Sequence, residues 1–173
     1  MRYIILGLIL AGLFQVFFWI TQDHQVSLNQ DSFESIESLS YSPYEGYDKK
    51  LLSANQIEED IKVLSFFTKK LRTYSTTDAE AILKVISNTD IKIDLGLWLS
   101  GNYKENFDEI LRAVQLVKTY KNNIVNVIVG NETVLRKDLN EVELVAYLNY
   151  VSNLIDKPIT TAEVWDIWDK KPI

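Results

Sequence analysis

The sequence predicts an α/β fold built on a parallel sheet, and two observations predict it. Stretches of strand character alternate with stretches whose apolar residues recur at helical spacing, in units of about 30 residues, the size of a strand–helix repeat. Polar and aromatic residues also collect at the C-terminal end of every strand-like stretch: Tyr41 with Ser42, Arg72 with Thr73 and Tyr74, Trp98, Asn131 with Glu132, and Thr161 with Glu163. Sustained alternation of this kind implies parallel strands, in an open doubly wound sheet or in a closed barrel. In an eight-stranded barrel the C-terminal strand ends are where a site is built.

The first element stands apart. Residues 3–20, YIILGLILAGLFQVFFWI, contain Gln15 as the one clearly polar side chain. As a helix they are ~27 Å long, close to the hydrocarbon thickness of a bilayer. Arg2 precedes them, which predicts a single-pass anchor over residues 1–22 with a cytoplasmic N-terminus and the remaining chain outside the membrane. Secretion after signal cleavage is the alternative. It is disfavoured by the length of the apolar run and by the lack of a small-residue cleavage site before Val26. Residues 23–36 are polar and aperiodic and read as a tether that includes His24, which leaves 37–173 as the folded domain.

Within that domain, residues 38–42 suit a short strand. Ser53 and Gln56 have capping-box spacing ahead of Ile57, Ile61, Leu64 and Phe67. Residues 71–74 are extended, and Thr77 with Glu80 is expected to cap a helix carrying Ile82, Leu83 and Ile86. Residues 91–99, IKIDLGLWL, form a strand in which Asp94 requires a partner, found either towards the helix layer or on a lysine. Phe107, Ile110, Leu111, Val114 and Val117 mark a third helix, and residues 124–130 a strand. Asn140 with Glu143 opens a fourth helix through Leu144, Leu148, Val151 and Leu154, and 158–163 is the last strand.

Composition removes several classes of function. The net charge of −6 and a pI near 4.9 argue against a nucleic-acid surface. With no cysteine and a single histidine, thiolate metal sites and a Ser-His triad are not expected. No Gly-rich loop follows the first strand, since SYSPYEG does not fit G-x-G-x-x-G, so no nucleotide cofactor is expected.

The segments SYSPYEGYDKK, LRTYS, LGLWL, VNVIVGNETVLR and PITTAEVWDIW, in this order from about residue 38 onward, resemble those of bacterial glycoside hydrolases of family seventeen, the β-1,3-glucanase group. The resemblance implies a (β/α)8 TIM barrel acting on β-1,3-linked or related glucans with no metal or cofactor. It implies that Glu132 is the general acid/base and that Asn131 hydrogen-bonds the sugar 2-hydroxyl. A glycosidic oxygen leaves poorly unless it is protonated as the bond breaks, so such a site needs a carboxylic acid beside it. Tyr41, Arg72 and Tyr74 match segments on the floor of the site, Trp98 and Trp165 are candidates for stacking on sugar rings, and Glu163 is a supporting cleft residue.

The chain departs from the pattern in one respect. A retaining glycosidase needs a second carboxylate about 5–5.5 Å from the first. In the family it comes from the seventh strand, in a GE-x-GWP-like segment that these 173 residues lack. They are therefore expected to hold about five strands and four helices of the eight-stranded barrel, with a C-terminal half as an absent partner and little activity alone. The alternative reading is a non-catalytic carbohydrate-binding remnant.

Overall fold

The computed structural model describes residues 2–22 and 36–170; the side chains of residues 3, 6, 8 and 22 are outside that description. Apart from residue 36, the expected tether lies outside the described residues. The chain divides into two compact units, 1–34 and 35–173.

The first unit holds helix α1, Arg2–Gln22. Its described apolar side chains, Ile4, Leu13, Phe14 and Trp19 among them, are exposed, and it has no acidic residue in its first turn and no basic residue in its last. Among the described residues, no helix is long and apolar enough to cross a membrane. The expected transmembrane span is thus not established by the structure.

The second unit runs β1 (Leu39–Ser40), β2 (Tyr44–Glu45), β3 (Lys50–Leu51), α2 (Ala54–Leu64), β4 (Lys70–Arg72), α3 (Thr76–Ile86), β5 (Lys92–Leu97), α4 (Tyr103–Thr119), β6 (Ile124–Asn131), α5 (Glu141–Ser152), β7 (Ile159–Ala162) and α6 (Trp165–Lys170). Five strands form one sheet in the order β1-β4-β5-β6-β7, and every pair is parallel. A doubly wound sheet reverses its strand order at a switch point. Here spatial order follows chain order throughout, which is how a βα barrel is wound. The small hairpin β2–β3, turned through Gly46 at φ +66°, and the short helix α6 were not expected; strands of two residues carry no readable period.

Leu71, Ile93, Leu95, Leu97, Val127 and Val129 pack with Ile57 and Ile61 of α2, Ile82, Leu83 and Ile86 of α3, and Ile110 and Ala113 of α4. Each fully buried Leu or Ile contributes roughly 1.5–3 kcal/mol. The intervening positions carry polar side chains: Arg72 sits opposite Asp94, and Asp94 opposite Asn126. Asn126 Nδ2 donates to Asp94 Oδ1 at 2.7 Å, and Lys70 Nζ lies 3.6 Å from Asp94 Oδ2. The partner required by Asp94 is therefore a lysine and an amide within the sheet, and not the helix layer.

The capping boxes at Ser53–Gln56 and Asn140–Glu143 form as expected. The cap expected at Thr77 does not. Ser75 occupies that position, its hydroxyl accepting from Asp78 N, so helix α3 starts earlier, at Thr76.

Candidate active site

Strand β6, IVNVIVGN, is β-branched and apolar, apart from Asn126, until Gly130. There the register with β7 shifts between Ile128 and Asn131, and Gly130 takes φ +81°. A bulge of this kind bends a strand and re-aims the side chains after it. Glu132 follows with φ +53°. For a residue with a Cβ the left-handed region costs about 1–2 kcal/mol, and it persists only where the surroundings enforce it.

The enforcement is visible. The Glu132 amide donates to Ala162 O at 2.7 Å, which ties it to the end of β7. The next turn hangs from Glu163. Its Oε1 accepts from Val134 N at 2.7 Å and Thr133 Oγ1 at 3.2 Å, and its Oε2 accepts from Leu135 N at 3.4 Å. Glu163 thus satisfies the free amides of the turn as a capping carboxylate does. Both of its oxygens are committed, so the cleft role expected for it takes the form of holding the Glu132 loop. The Glu132 carboxylate itself has no hydrogen bond or ion pair among the described residues, and the side chain is partly buried.

Asn131 Oδ1 accepts from Arg72 Nη2 at 2.7 Å, which points the Asn131 amide NH2 away from the arginine. The Arg72 guanidinium lies 5.2 Å from the Tyr74 ring centroid, and its Nε is buried without a partner. Arg72, Tyr74 and Asn131 therefore form one constellation at the C-terminal strand ends, and Glu132 follows Asn131 in the chain.

Tyr41 does not join it. Its amide donates to Arg72 O at 2.9 Å, but its hydroxyl donates to Asp60 Oδ2 at 2.7 Å, on α2. Strand alternation is the reason: Tyr41 is two residues beyond Leu39, whose ladder partner is the core residue Leu71, so its ring faces the helices. Burial, and then the Asp60 bond, hold its phenol well above the usual range. Nearby, Tyr44 is pushed up to about 12 by burial and then by the carboxylate of the buried Asp78, in the first turn of α3.

Trp98 is 44% exposed, and one face of its ring is covered by the Arg136 guanidinium at 4.2 Å. Arg136 was not anticipated. Its Nη1 donates to Asn131 O, its Nη2 to Leu99 O at 2.8 Å, and its Nε to Asp138 Oδ2 at 2.8 Å. One side chain thus clamps the loop after β5 to the loop after β6. Glu109, also unanticipated, is 4% exposed and accepts from Thr76 N (2.7 Å), Thr76 Oγ1 (2.5 Å), Trp98 N (3.1 Å) and Arg112 Nη2 (3.1 Å). A buried carboxylate is tolerated only when it is paired and bonded in this way. It joins the first residue of α3 to the start of the loop after β5. Trp165 is 78% exposed on α6, and Trp168 Nε1 donates to Glu163 O at 3.1 Å.

Residues 38–173 match the family model of the BtgE/BtgC glycoside hydrolase domain. The chain belongs to that family. This BtgE/BtgC domain is 28% identical over 162 residues to the probable glucan endo-1,3-beta-glucosidase btgC of Aspergillus flavus, a match covering 81% of this chain and 23% of that protein. It is 25% identical over 120 residues to the glucan 1,3-beta-glucosidase of Schizosaccharomyces pombe, covering 63% of this chain and 37% of that one. The chain thus spans about a quarter to a third of the length of these relatives.

Among solved structures, the domain matches an endo-laminarinase from Formosa with a TM-score of 0.69 at 22% identity, over 79% of this chain and 44% of that one. It also matches the glycoside hydrolase family 17 β-1,3-glucanosyltransferase of Rhizomucor miehei with a TM-score of 0.65 at 20% identity, over 75% and 50%. The resemblance to family seventeen is borne out, and the parallel sheet is similar to part of those folds.

Proposed function

We propose that this chain carries the acid/base side of a β-1,3-glucan-cleaving or glucan-transferring site. The observation that supports the reading is Glu132: a left-handed residue at a strand tip, fixed by Ala162 and by the Glu163-held turn, whose carboxylate is left unpaired. A backbone under strain around a free acid is the arrangement expected of a reacting group. Glu132 donates a proton to the departing glycosidic oxygen and then takes one from the incoming water or sugar hydroxyl. Asn131, oriented by Arg72, presents its amide to the 2-hydroxyl of the sugar undergoing cleavage, where the contact strengthens as the oxocarbenium-like state develops. The exposed part of the Trp98 ring, steadied by Arg136, offers a stacking surface beside them.

The proposed mechanism retains anomeric configuration. Its nucleophile is a carboxylate outside these 173 residues, because Glu163 is committed to the backbone of residues 134 and 135. The chain alone is then expected to bind laminari-oligosaccharides without cleaving them. The test is a panel of β-1,3-, β-1,4- and β-1,6-linked glucans, scored for binding and for released sugar. Binding confined to the β-1,3 substrates, with no release, is the expected outcome; rapid release by this chain alone contradicts the assignment of the nucleophile.

We further propose that α1 anchors the domain at the outer face of a membrane. In the sequence, residues 3–20 are apolar apart from Gln15, Arg2 precedes them, and a helix of this length reaches ~27 Å. The chain should sediment with membranes and be released by detergent but not by alkaline carbonate; release by carbonate contradicts the anchor.

A further inference from the structure

The N-terminal end of helix α4 and one face of α5 leave a hollow of about 320 Å3, lined by Tyr103, Glu143, Ala146, Tyr147 and Tyr150. Phe107 extends it, its ring 6.4 Å from that of Tyr150 and inclined by 27°. None of these residues belongs to the candidate active site. Tyr103, Phe107 and Tyr150 are 62%, 47% and 41% exposed, a run of aromatic rings left open to solvent.

We propose that this groove is a second carbohydrate-binding site, which holds a stretch of β-1,3-glucan while another stretch of the same chain occupies the Glu132 site. The inference rests on the glucan reading above. A β-linked glucopyranose has equatorial substituents, so it offers apolar C–H faces and a rim of hydroxyls. The groove provides the complement. Its walls are rings, and its polar atoms stand at the edge. Tyr103 Oη donates to Glu143 Oε1 at 2.8 Å, and Asn140 N donates to Glu143 Oε2 at 2.8 Å, so the carboxylate is fixed in place with lone pairs to spare for sugar hydroxyls. The same two bonds keep Glu143 ionised to lower pH than usual. Asn106 Nδ2 donates to Tyr147 Oη at 3.2 Å, which leaves the Tyr147 hydroxyl proton to donate outward.

Two observations favour a sugar over a second copy of the chain. The hollow has the volume of a small-ligand site, about 300–1,000 Å3, whereas a stable protein interface buries roughly 1,200 Å2 or more. No lysine or arginine lines the groove to meet Glu143, so a protein partner would have to supply a cation or bury an unpaired charge, while a hydroxyl needs neither. The location also fits. Helix α4 starts five residues after Trp98, and α5 starts after the Glu132 loop, so the groove opens at the rim of the end of the sheet that carries the candidate site.

The test compares the parent, the double variant Tyr103→Ala/Tyr150→Ala and the single variant Tyr103→Phe, in the full protein. All three substitutions fall on exposed rings, and circular dichroism confirms folding. The readouts are retention on insoluble β-1,3-glucan, KM and kcat on that polymer, and KM and kcat on a short laminari-oligosaccharide. The expected result for the double variant is KM for the polymer raised about tenfold or more, weaker retention, and unchanged kcat and short-substrate constants. Tyr103→Phe, which keeps the ring, loses less. Unchanged polymer KM and retention overturn the proposal. So does a dimer that dissociates in the double variant with glucan binding intact, which makes the groove a contact between copies. A parent that neither binds nor cleaves any β-glucan fails at the earlier step, the glucan reading itself.

Discussion

Substituting Glu132→Gln lowers turnover of β-1,3-glucan in the full protein by about 10²–10⁴-fold with little change in KM, the range carried by a single general acid–base group. Gln has the shape of Glu but has no proton to give to the leaving oxygen. The fold tolerates the exchange for structural reasons. The bonds that hold position 132 are its backbone amide to Ala162 O and the Glu163-bound amides of the next turn, and neither involves the replaced side chain. Ground-state binding through Asn131 and Trp98 should persist, so the loss falls on kcat. An aryl glycoside whose leaving group needs no protonation should recover much of the loss in the first step. The check is kcat/KM, which reports the first step, on laminarin and on such a glycoside; equal losses of kcat/KM on both would mean that position 132 does not donate the proton.

Substituting Gly96→Ala destabilises the domain by about 1–3 kcal/mol or more, a large part of the roughly 5–15 kcal/mol of an ordinary domain. Strand β5 runs against the residues that follow β4 at this point, with no room for a side chain. A Cβ on Gly96 would lie 2.1 Å from Thr73 O and 2.8 Å from Tyr74 Cα, both main-chain atoms that no rotamer change can move. The contact is held from both sides, since Gly96 N donates to Thr73 Oγ1 at 3.0 Å and Thr73 N donates to Asp94 O at 3.1 Å. Relief requires β4 and β5 to part just beyond Arg72, so the loss of stability should come with weaker glucan binding as Arg72 releases Asn131. Urea titration with oligosaccharide binding on the same samples tests this. An unchanged midpoint would show that the close approach is not a constraint.

Much of this architecture was legible. The βα repeat, the two capping boxes and the polar strand tips each rest on a local rule, and each reappears in the structure. The strand order along the sheet was not local information; it required the register of β6 against β5 and β7. Tyr41 was misplaced because a strand-end residue can face either side, and the two-residue ladder of β1 gave no period from which to choose. For Glu163 the sequence suggested a supporting cleft residue; its hold on the Glu132 turn, a contact across 29 residues, was not legible. Glu109 left a trace that could have been read: it falls on the buried stripe of α4 with Asn106, Ile110 and Ala113, where a charge has no place unless it is bonded. Arg136 left none, because an arginine soon after a strand is usually a solvated charge.

The central claim is that Glu132 serves first as acid and then as base on one covalent glycosyl intermediate. It is tested most directly by adding azide to the Glu132→Gln variant of the full protein with an activated aryl β-glucoside. Azide attacks the intermediate without needing a base, so the account predicts a rate that rises with azide and a β-glucosyl azide product. A variant as fast as the parent, or a slow one that azide neither accelerates nor traps, would contradict it.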